Sequence, residues 1–187
     1  MRAENIIFLL LLLYILFHYF KRSEVEYLYI RNFLPEQEHK KVVEECRKLE
    51  PFMEKDVLSI VKNRNKHTFS HDDYISQVFS STHVREKLKE LNASPSNTPV
   101  EYRTYGEKGM MGWHCDDQLY IKPQYEIVYT TENTSDSKMQ WFDPTTKELH
   151  SISTEPNSVF VVRARTVLHR VSPVNHGERK IIKFAYV

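Results

Sequence analysis

The second half of this chain is a succession of short strand-like segments, and this pattern restricts the fold more than any other feature of the sequence. The segments are rich in Val, Ile, Thr, Tyr, Phe and Trp, which favour strands, and turn-forming residues such as Pro144 and Pro156 separate them. Eight strands are predicted, at residues 100–105, 113–120, 126–131, 138–142, 148–153, 159–162, 166–171 and 180–187. Such a series, with helices only before it, predicts a mainly β chain of the α+β class in which two antiparallel sheets form a jelly roll.

The part of the chain before residue 99 is predicted to be largely helical. Residues 25–30 have the composition of a strand and precede a predicted helix at residues 35–49, whose apolar side chains recur at three- and four-residue spacing. A second amphipathic helix is predicted at residues 82–91, and the polar residues 62–66 are predicted to be irregular. We expect the helices to cover one face of the jelly roll.

The N-terminus carries a segment typical of a membrane or targeting sequence. Residues 6–17 read IIFLLLLLYILF, which is short for a full span and close in length to a signal-peptide core. A cleavable signal usually ends in small residues, whereas this segment continues through bulky residues into Lys21-Arg22. The sequence therefore favours an uncleaved single-pass anchor at residues 1–22 over a cleaved signal, with the endoplasmic reticulum as a plausible location.

The remaining chain is predicted to form one folded unit. Residues 23–98 would be its helical part and residues 99–187 its β core, because the length allows one domain and not two. The whole chain has 26 Lys and Arg against 25 Asp and Glu, with a formal net charge of +1. Since nucleic-acid binders usually carry a basic excess, no nucleic-acid partner is expected.

Two histidines and one aspartate form the strongest candidate metal site. In a strand, alternate side chains point to the same face, so His114 and Asp116 would project together. His169 supplies a distant third ligand. Two histidines and one carboxylate leave positions open on a non-haem iron(II), so His114, Asp116 and His169 are predicted to bind iron.

Arg179 and Tyr105 are candidates for binding an organic acid next to this metal. A guanidinium can bind a carboxylate through two hydrogen bonds, as a dicarboxylate such as 2-oxoglutarate would require, and the phenol of Tyr105 could contact the same carboxylate. Lys180 is the alternative to Arg179. Three of the four glycines, at positions 106, 109 and 112, precede His114 and suggest a shaped loop around the site.

These motifs resemble the 2-oxoglutarate/Fe(II)-dependent oxygenase superfamily, in particular its prolyl 4-hydroxylase-like branch. The resemblance covers roughly residues 25–187 and is most specific in His114-Cys-Asp116 and in the stretch from His169 to Arg179, HRVSPVNHGER. It implies a double-stranded β-helix, Fe(II), 2-oxoglutarate and O2 as cofactors with ascorbate as reductant, and hydroxylation of a C–H bond with release of succinate and CO2. A peptide or protein substrate is implied, with peptidyl proline first.

Other substrates and roles remain open at this stage. The alternatives are a hydroxylase of peptidyl lysine or of a small molecule, and, less favoured, a nucleic-acid demethylase or a non-catalytic module. Met111 and Arg179 differ from the tyrosine and lysine that animal collagen-type members commonly carry, which bears on the substrate more than on the reaction. Trp113, Trp141 and Arg163 could line a substrate pocket, although the two tryptophans would also suit the barrel core.

Overall fold

The computed structural model describes residues 25–187, and most of this range is β structure. The strands are β1 (Tyr27–Arg31), β2 (Glu54–Lys55), β3 (Val61–Thr68), β4 (Glu101–His114), β5 (Tyr125–Asn133), β6 (Met139–Phe142), β7 (Leu149–Ile152), β8 (Ser158–Arg163), β9 (His169–Val171) and β10 (Arg179–Tyr186). The helices are α1 (Glu36–Leu49), α2 (Tyr74–Phe79) and α3 (Thr82–Lys87), with 3₁₀ turns at Glu50–Phe52 and Lys89–Leu91. The chain is mainly β, as predicted, and its helices precede residue 99, but β1, β2 and β3 also lie in this first part.

The strands form one antiparallel sheet that curls on itself. Its order is β1-β8-β5-β10-β4-β9-β6-β7, with β3 pairing on β4 and β2 on β3. Strands far apart in this order nevertheless touch: the rings of Trp141 in β6 and Phe160 in β8 lie 4.7 Å apart, and those of Trp141 and Tyr27 in β1 lie 5.3 Å apart. The sheet therefore closes around an interior, as a jelly roll requires.

Alternation along β10 assigns one face of the sheet to the interior and the other to the helices. Ile182 and Phe184 pack in the same apolar cluster as residues of α1, α2 and α3. Ile181 belongs to a second cluster, inside the curled sheet, with residues such as Tyr105 and Trp141. Because strand side chains alternate, Arg179 and Lys183 face the interior together with Ile181.

The predicted membrane anchor at residues 1–22 lies outside the described residues, and it stays a prediction. Within residues 25–187, no helix combines the length and the apolar character needed to cross a membrane.

Three local predictions differ from the structure. The polar residues 62–66 are not irregular but belong to β3, where buried Arg64 points inward among exposed neighbours, so polarity concealed the strand. The strand predicted at 113–120 ends at His114, and Asp116 lies in the irregular segment that follows. The predicted loop at the glycines is instead an irregular stretch within β4.

Two isoleucines of the same region provide a matched test of the core. Ile127 in β5 is fully buried between sheet and helices, whereas Ile121 in the preceding turn is fully exposed. Ile127→Ala should lower the free energy of unfolding by about 3 kcal/mol, because it leaves a cavity that its neighbours cannot fill. Ile121→Ala should change it by less than about 0.5 kcal/mol. Urea unfolding of the two variants measures both values, and equal effects would contradict this core.

Candidate metal centre

The ends of two neighbouring strands bring the predicted ligands together. His114 is the last residue of β4 and His169 the first of β9, and the two are paired across the sheet. Asp116 follows two residues after β4. Its Oδ2 lies 3.2 Å from Nε2 of His169, and its Oδ1 lies 3.9 Å from Nε2 of His114. The strand predicted to align His114 with Asp116 does not continue, but the turn places the carboxylate at the same point.

Backbone contacts orient both imidazoles toward this point. Nδ1 of His114 lies 2.8 Å from the carbonyl oxygen of Gly112, and Nδ1 of His169 lies 2.9 Å from that of Val167. A carbonyl only accepts, so each Nδ1 must carry the proton, and each Nε2 keeps a free lone pair beside Asp116. This is the arrangement that metal-binding histidines usually show.

The donor set fits iron(II). One ligand atom from each of the three residues lies within 4.8 Å of the others, so a single ion can reach all three. Two imidazoles and one carboxylate on one side leave the opposite positions of an octahedral ion open, which is the pattern of non-haem iron(II) oxygenases.

The protonation states also suit a metal. Burial and the neighbouring His169 lower the pKa of His114 to about 4, so its lone pair is available at neutral pH. Burial opposes ionisation of Asp116, but its close contacts with His169 and with the ammonium of Lys183 hold its pKa below the usual range. The site therefore presents a neutral imidazole and a carboxylate near pH 7.

Lys183 and Glu126 are site residues that sequence reasoning missed. Nζ of Lys183 lies 2.8 Å from Oδ1 of Asp116 and 3.1 Å from Oε2 of Glu126, and Gln124 donates to the other oxygen of Glu126. The position of Lys183 could have been predicted, because a residue four positions after Arg179 in a strand lies on the same face as Arg179. Lys183 binds one oxygen of Asp116 and leaves the other, Oδ2, beside His169.

Arg179 lies in the same cavity with its hydrogen-bonding groups unused. The cavity is lined by the three predicted metal ligands together with Tyr105, Arg179 and Lys183. Arg179 is fully buried, and among residues 25–187 its three side-chain nitrogens have no hydrogen-bond partner. Burial lowers its pKa, yet a guanidinium remains charged. A buried cation without a partner is costly, so this cavity fits the carboxylate of an organic acid.

The alternative residue, Lys180, points to the other face of the sheet. Its Nζ lies 2.9 Å from Oε1 of Glu50 and 3.0 Å from Oε1 of Glu178. These contacts already provide counter-charges, and Lys180 does not line the cavity of the triad. Of the two candidates, the geometry therefore favours Arg179.

None of the three predicted pocket residues lines this cavity, although Trp141 is paired with His169 across the sheet. Trp113 packs on Phe142 and under the guanidinium of Arg170, next to the triad in sequence but on the other side of the strands. Trp141 is in the interior core, and Arg163 pairs with Glu26. None of the three lines the cavities that contain Asp116.

A larger outer cavity of about 240 Å³ adjoins the triad at Asp116. Its charged lining includes Glu101, Arg103, Asp117, Glu126 and Lys183. Carboxylates outnumber cations there, and Arg103 is paired with Glu101. A molecule bound in this cavity would lie next to the metal position.

Solved structures of 2-oxoglutarate/Fe(II) oxygenases share this fold. A Pseudomonas putida prolyl-4-hydroxylase matches with a TM-score of 0.71 and 12% identity, over 88% of this chain and 92% of its own. A Trichoplax adhaerens prolyl hydroxylase, in complex with a hypoxia inducible factor peptide fragment, matches with a TM-score of 0.71 and 13% identity, over 86% and 83%. The non-heme alpha ketoglutarate dependent epimerase SnoN from nogalamycin biosynthesis matches with a TM-score of 0.71 and 9% identity, over 89% and 78%.

The fold is a jelly roll, and the site has the ligand pattern of 2-oxoglutarate/Fe(II) oxygenases. The resemblance found in the sequence is thereby confirmed for the fold, with a His-Asp-His cluster that fits the facial triad. No protein-family model and no curated protein matches the sequence. At identities of 9–13%, the similarity to these structures establishes the fold alone. The same fold occurs in prolyl hydroxylases and in an epimerase, so the fold does not specify the substrate.

The buried state of His114 predicts acid sensitivity of the metal-free protein. Its pKa is near 6.5 in an unfolded chain and about 4 in the folded one, so the unfolded chain binds more protons between these values. Stability should therefore fall as the pH drops from about 6.5 to about 4. The low pKa of Asp116 acts in the same direction below pH 4. Urea unfolding at pH 7 and pH 4.5 measures this loss of stability. The loss should be smaller in His114→Gln than in the parent protein, and the same as in the parent in a control variant of exposed His71. An equal loss in His114→Gln and the parent would contradict this prediction.

Proposed function

We propose that this protein is an Fe(II)- and 2-oxoglutarate-dependent oxygenase that hydroxylates a C–H bond, with peptidyl proline as the substrate group. The observation that carries the proposal is the buried guanidinium of Arg179, which has no partner among the described residues and lies in one cavity with His114, Asp116 and His169. A metal site alone fits many functions. A metal site beside an unpaired buried cation fits a reaction that needs a bound carboxylic acid.

Different residues of the chain would bind the iron and the 2-oxoglutarate. His114, Asp116 and His169 would hold iron through Nε2, Oδ2 and Nε2. Arg179 would bind the distal carboxylate of 2-oxoglutarate through two hydrogen bonds, and Tyr105 would donate a third. Lys183 would hold the second oxygen of Asp116, so that the carboxylate offers one oxygen to the metal.

Iron(II) with bound 2-oxoglutarate supplies the oxidising chemistry. In the balanced reaction, 2-oxoglutarate, O2 and a C–H bond yield succinate, CO2 and C–OH. One oxygen atom of O2 enters succinate and the other enters the product. The apolar walls of the inner cavity, including Met111, Val128 and Ile181, would exclude water from this step.

The outer cavity supports a peptide as substrate. It adjoins Asp116, and three segments of the chain contribute both polar side chains and apolar ones such as Leu119 and Phe184, a mixed lining that suits an extended peptide. Its excess of carboxylates would repel the phosphates of a nucleic acid. Both prolyl hydroxylases described above share the fold, and one of them is in complex with a peptide fragment. Proline is therefore the first substrate group to test.

Turnover of the iron-loaded protein tests the reaction. With 2-oxoglutarate, O2, ascorbate and a set of proline-rich peptides, we expect release of succinate that peptide stimulates. His169→Ala should abolish it, because two ligands hold iron weakly, whereas His176→Ala should not, because His176 is exposed and outside the cavities. Binding of iron and 2-oxoglutarate without peptide-stimulated turnover would refute the prolyl substrate. Absence of both binding activities would refute the oxygenase.

Two adjacent cations provide a matched test of the 2-oxoglutarate site. Arg179→Met should weaken 2-oxoglutarate binding more than about tenfold, because it removes charged hydrogen bonds. The same change should leave the free energy of unfolding equal or higher, because it removes a buried charge without a partner. Lys180→Met, on the other face, should leave binding unchanged. Calorimetric titration and urea unfolding measure the two quantities, and a loss of stability without a loss of binding in Arg179→Met would contradict this assignment.

A further inference from the structure

Three neighbouring strands place a second buried arginine in line with Tyr105 and Arg179. Tyr105 in β4 is the register partner of Arg64 in β3 on one side and of Arg179 in β10 on the other. All three side chains are buried. Tyr105 and Arg179 line the cavity of the triad, and Arg64 does not. Arg64 therefore lies behind Tyr105 as seen from the cavity.

Arg64 is fixed by a buried ion pair and contacts the hydroxyl of Tyr105. Its Nε and Nη2 donate to Oδ2 of Asp56 at 3.0 and 2.6 Å, and its Nη1 donates to Oη of Tyr105 at 3.0 Å. The side chains of Arg64 and Asp56 are 0% and 3% exposed. The backbone N–H of Leu58 donates to the other oxygen of Asp56. The guanidinium is thus held on several sides.

The donor and acceptor roles of Arg64, Tyr105 and Arg179 decide where the hydroxyl proton of Tyr105 points. A guanidinium can only donate, so the phenol oxygen of Tyr105 accepts from Arg64 and its own proton must go to another acceptor. Arg179, on the other side of Tyr105, cannot accept this hydrogen bond because it is also a guanidinium. An anion in the cavity can accept from both Tyr105 and Arg179.

We propose that the Asp56–Arg64 pair is a positioning device that turns the Tyr105 hydroxyl into a hydrogen-bond donor for the carboxylate of the cosubstrate. The inference rests on the proposed function, because it takes 2-oxoglutarate as that anion. Arg64 is a positioning residue: it acts through Tyr105 and does not reach the cavity. A buried ion pair is commonly no more stabilising than apolar residues of similar size, so stability alone does not account for it.

A double-mutant cycle on the full chain separates positioning from a structural role. The variants are Tyr105→Phe, the paired change Asp56→Asn with Arg64→Met, and all three changes together. The probe is 2-oxoglutarate, titrated calorimetrically into iron-loaded protein without oxygen. We expect Tyr105→Phe and the paired change each to weaken binding about tenfold, and the triple variant to bind no more weakly than Tyr105→Phe. The iron stoichiometry should stay the same in all variants.

A second tyrosine of the same strand is the matched control. Tyr102 is also buried in β4, but its hydroxyl donates to Glu50 on the helix side of the sheet. Tyr102→Phe should leave 2-oxoglutarate affinity unchanged. If the paired change prevents folding, Arg64→Lys replaces it, and it should weaken binding in the parent but not in Tyr105→Phe.

The outcomes distinguish this inference from the function on which it rests. Additive losses in the triple variant, or an unchanged affinity after the paired change, would overturn the positioning role while leaving the oxygenase proposal intact. Failure of the parent protein to bind 2-oxoglutarate would overturn the proposed function and the inference together.

Discussion

Strand β4 bulges outward at residues 106–109, and the geometry of the site depends on this bulge. On the neighbouring strand β3, Arg64 pairs with Tyr105 and Lys62 with Met110, so β4 contains the longer path. A Cβ at Gly109 would lie 2.6 Å from the carbonyl oxygen of Gly106, which only glycine avoids. Without the bulge, nine residues of extended chain would separate Tyr105 from His114 by roughly 30 Å. With it, one strand supplies both a wall of the acid-binding cavity and a metal ligand.

Positive charge is concentrated in the interior beside this bulge. The regular pairing of β4 with β3 and β10 places Arg64 and Arg179 on either side of Tyr105, and among residues 25–187 only Arg64 of the two has a protein counter-ion, Asp56. A buried charge without a partner costs several kcal/mol, and a fold tolerates this cost when a ligand repays it. Under the proposed function, the carboxylate of 2-oxoglutarate would offset this cost at Arg179. The same reasoning separates Arg179 from Lys180, which is neutralised on the other face of the sheet.

The sequence was sufficient where a pattern was local and periodic. It predicted α1, most of the strands after Pro99, and a ligand set that the structure brings to one point. It failed where tertiary contacts overrode local character. Strand β3 is polar because Arg64 turns inward to an ion pair, and Asp116 reaches the metal position from a turn rather than from a strand. The spacing of Lys183 to Arg179 places both on one face of β10, but its role could not be predicted because it depends on the carboxylates of Asp116 and Glu126, which lie 67 and 57 residues earlier in the chain.

The residues that would bind the substrate and those that would bind the metal are different, but hydrogen bonds and ion pairs connect them. The outer cavity is bordered by the turn between β4 and β5, where Gln124 accepts from the backbone N–H of Leu119 and donates to Glu126. Glu126 contacts Lys183, which binds Asp116. A substrate that displaces this turn would therefore act on the orientation of the metal carboxylate without touching the metal. The same fold accommodates prolyl hydroxylases and an epimerase, so under the proposed function we expect specificity to come from peripheral segments such as residues 117–124, which border the outer cavity and contact the triad through Gln124, Glu126 and Lys183.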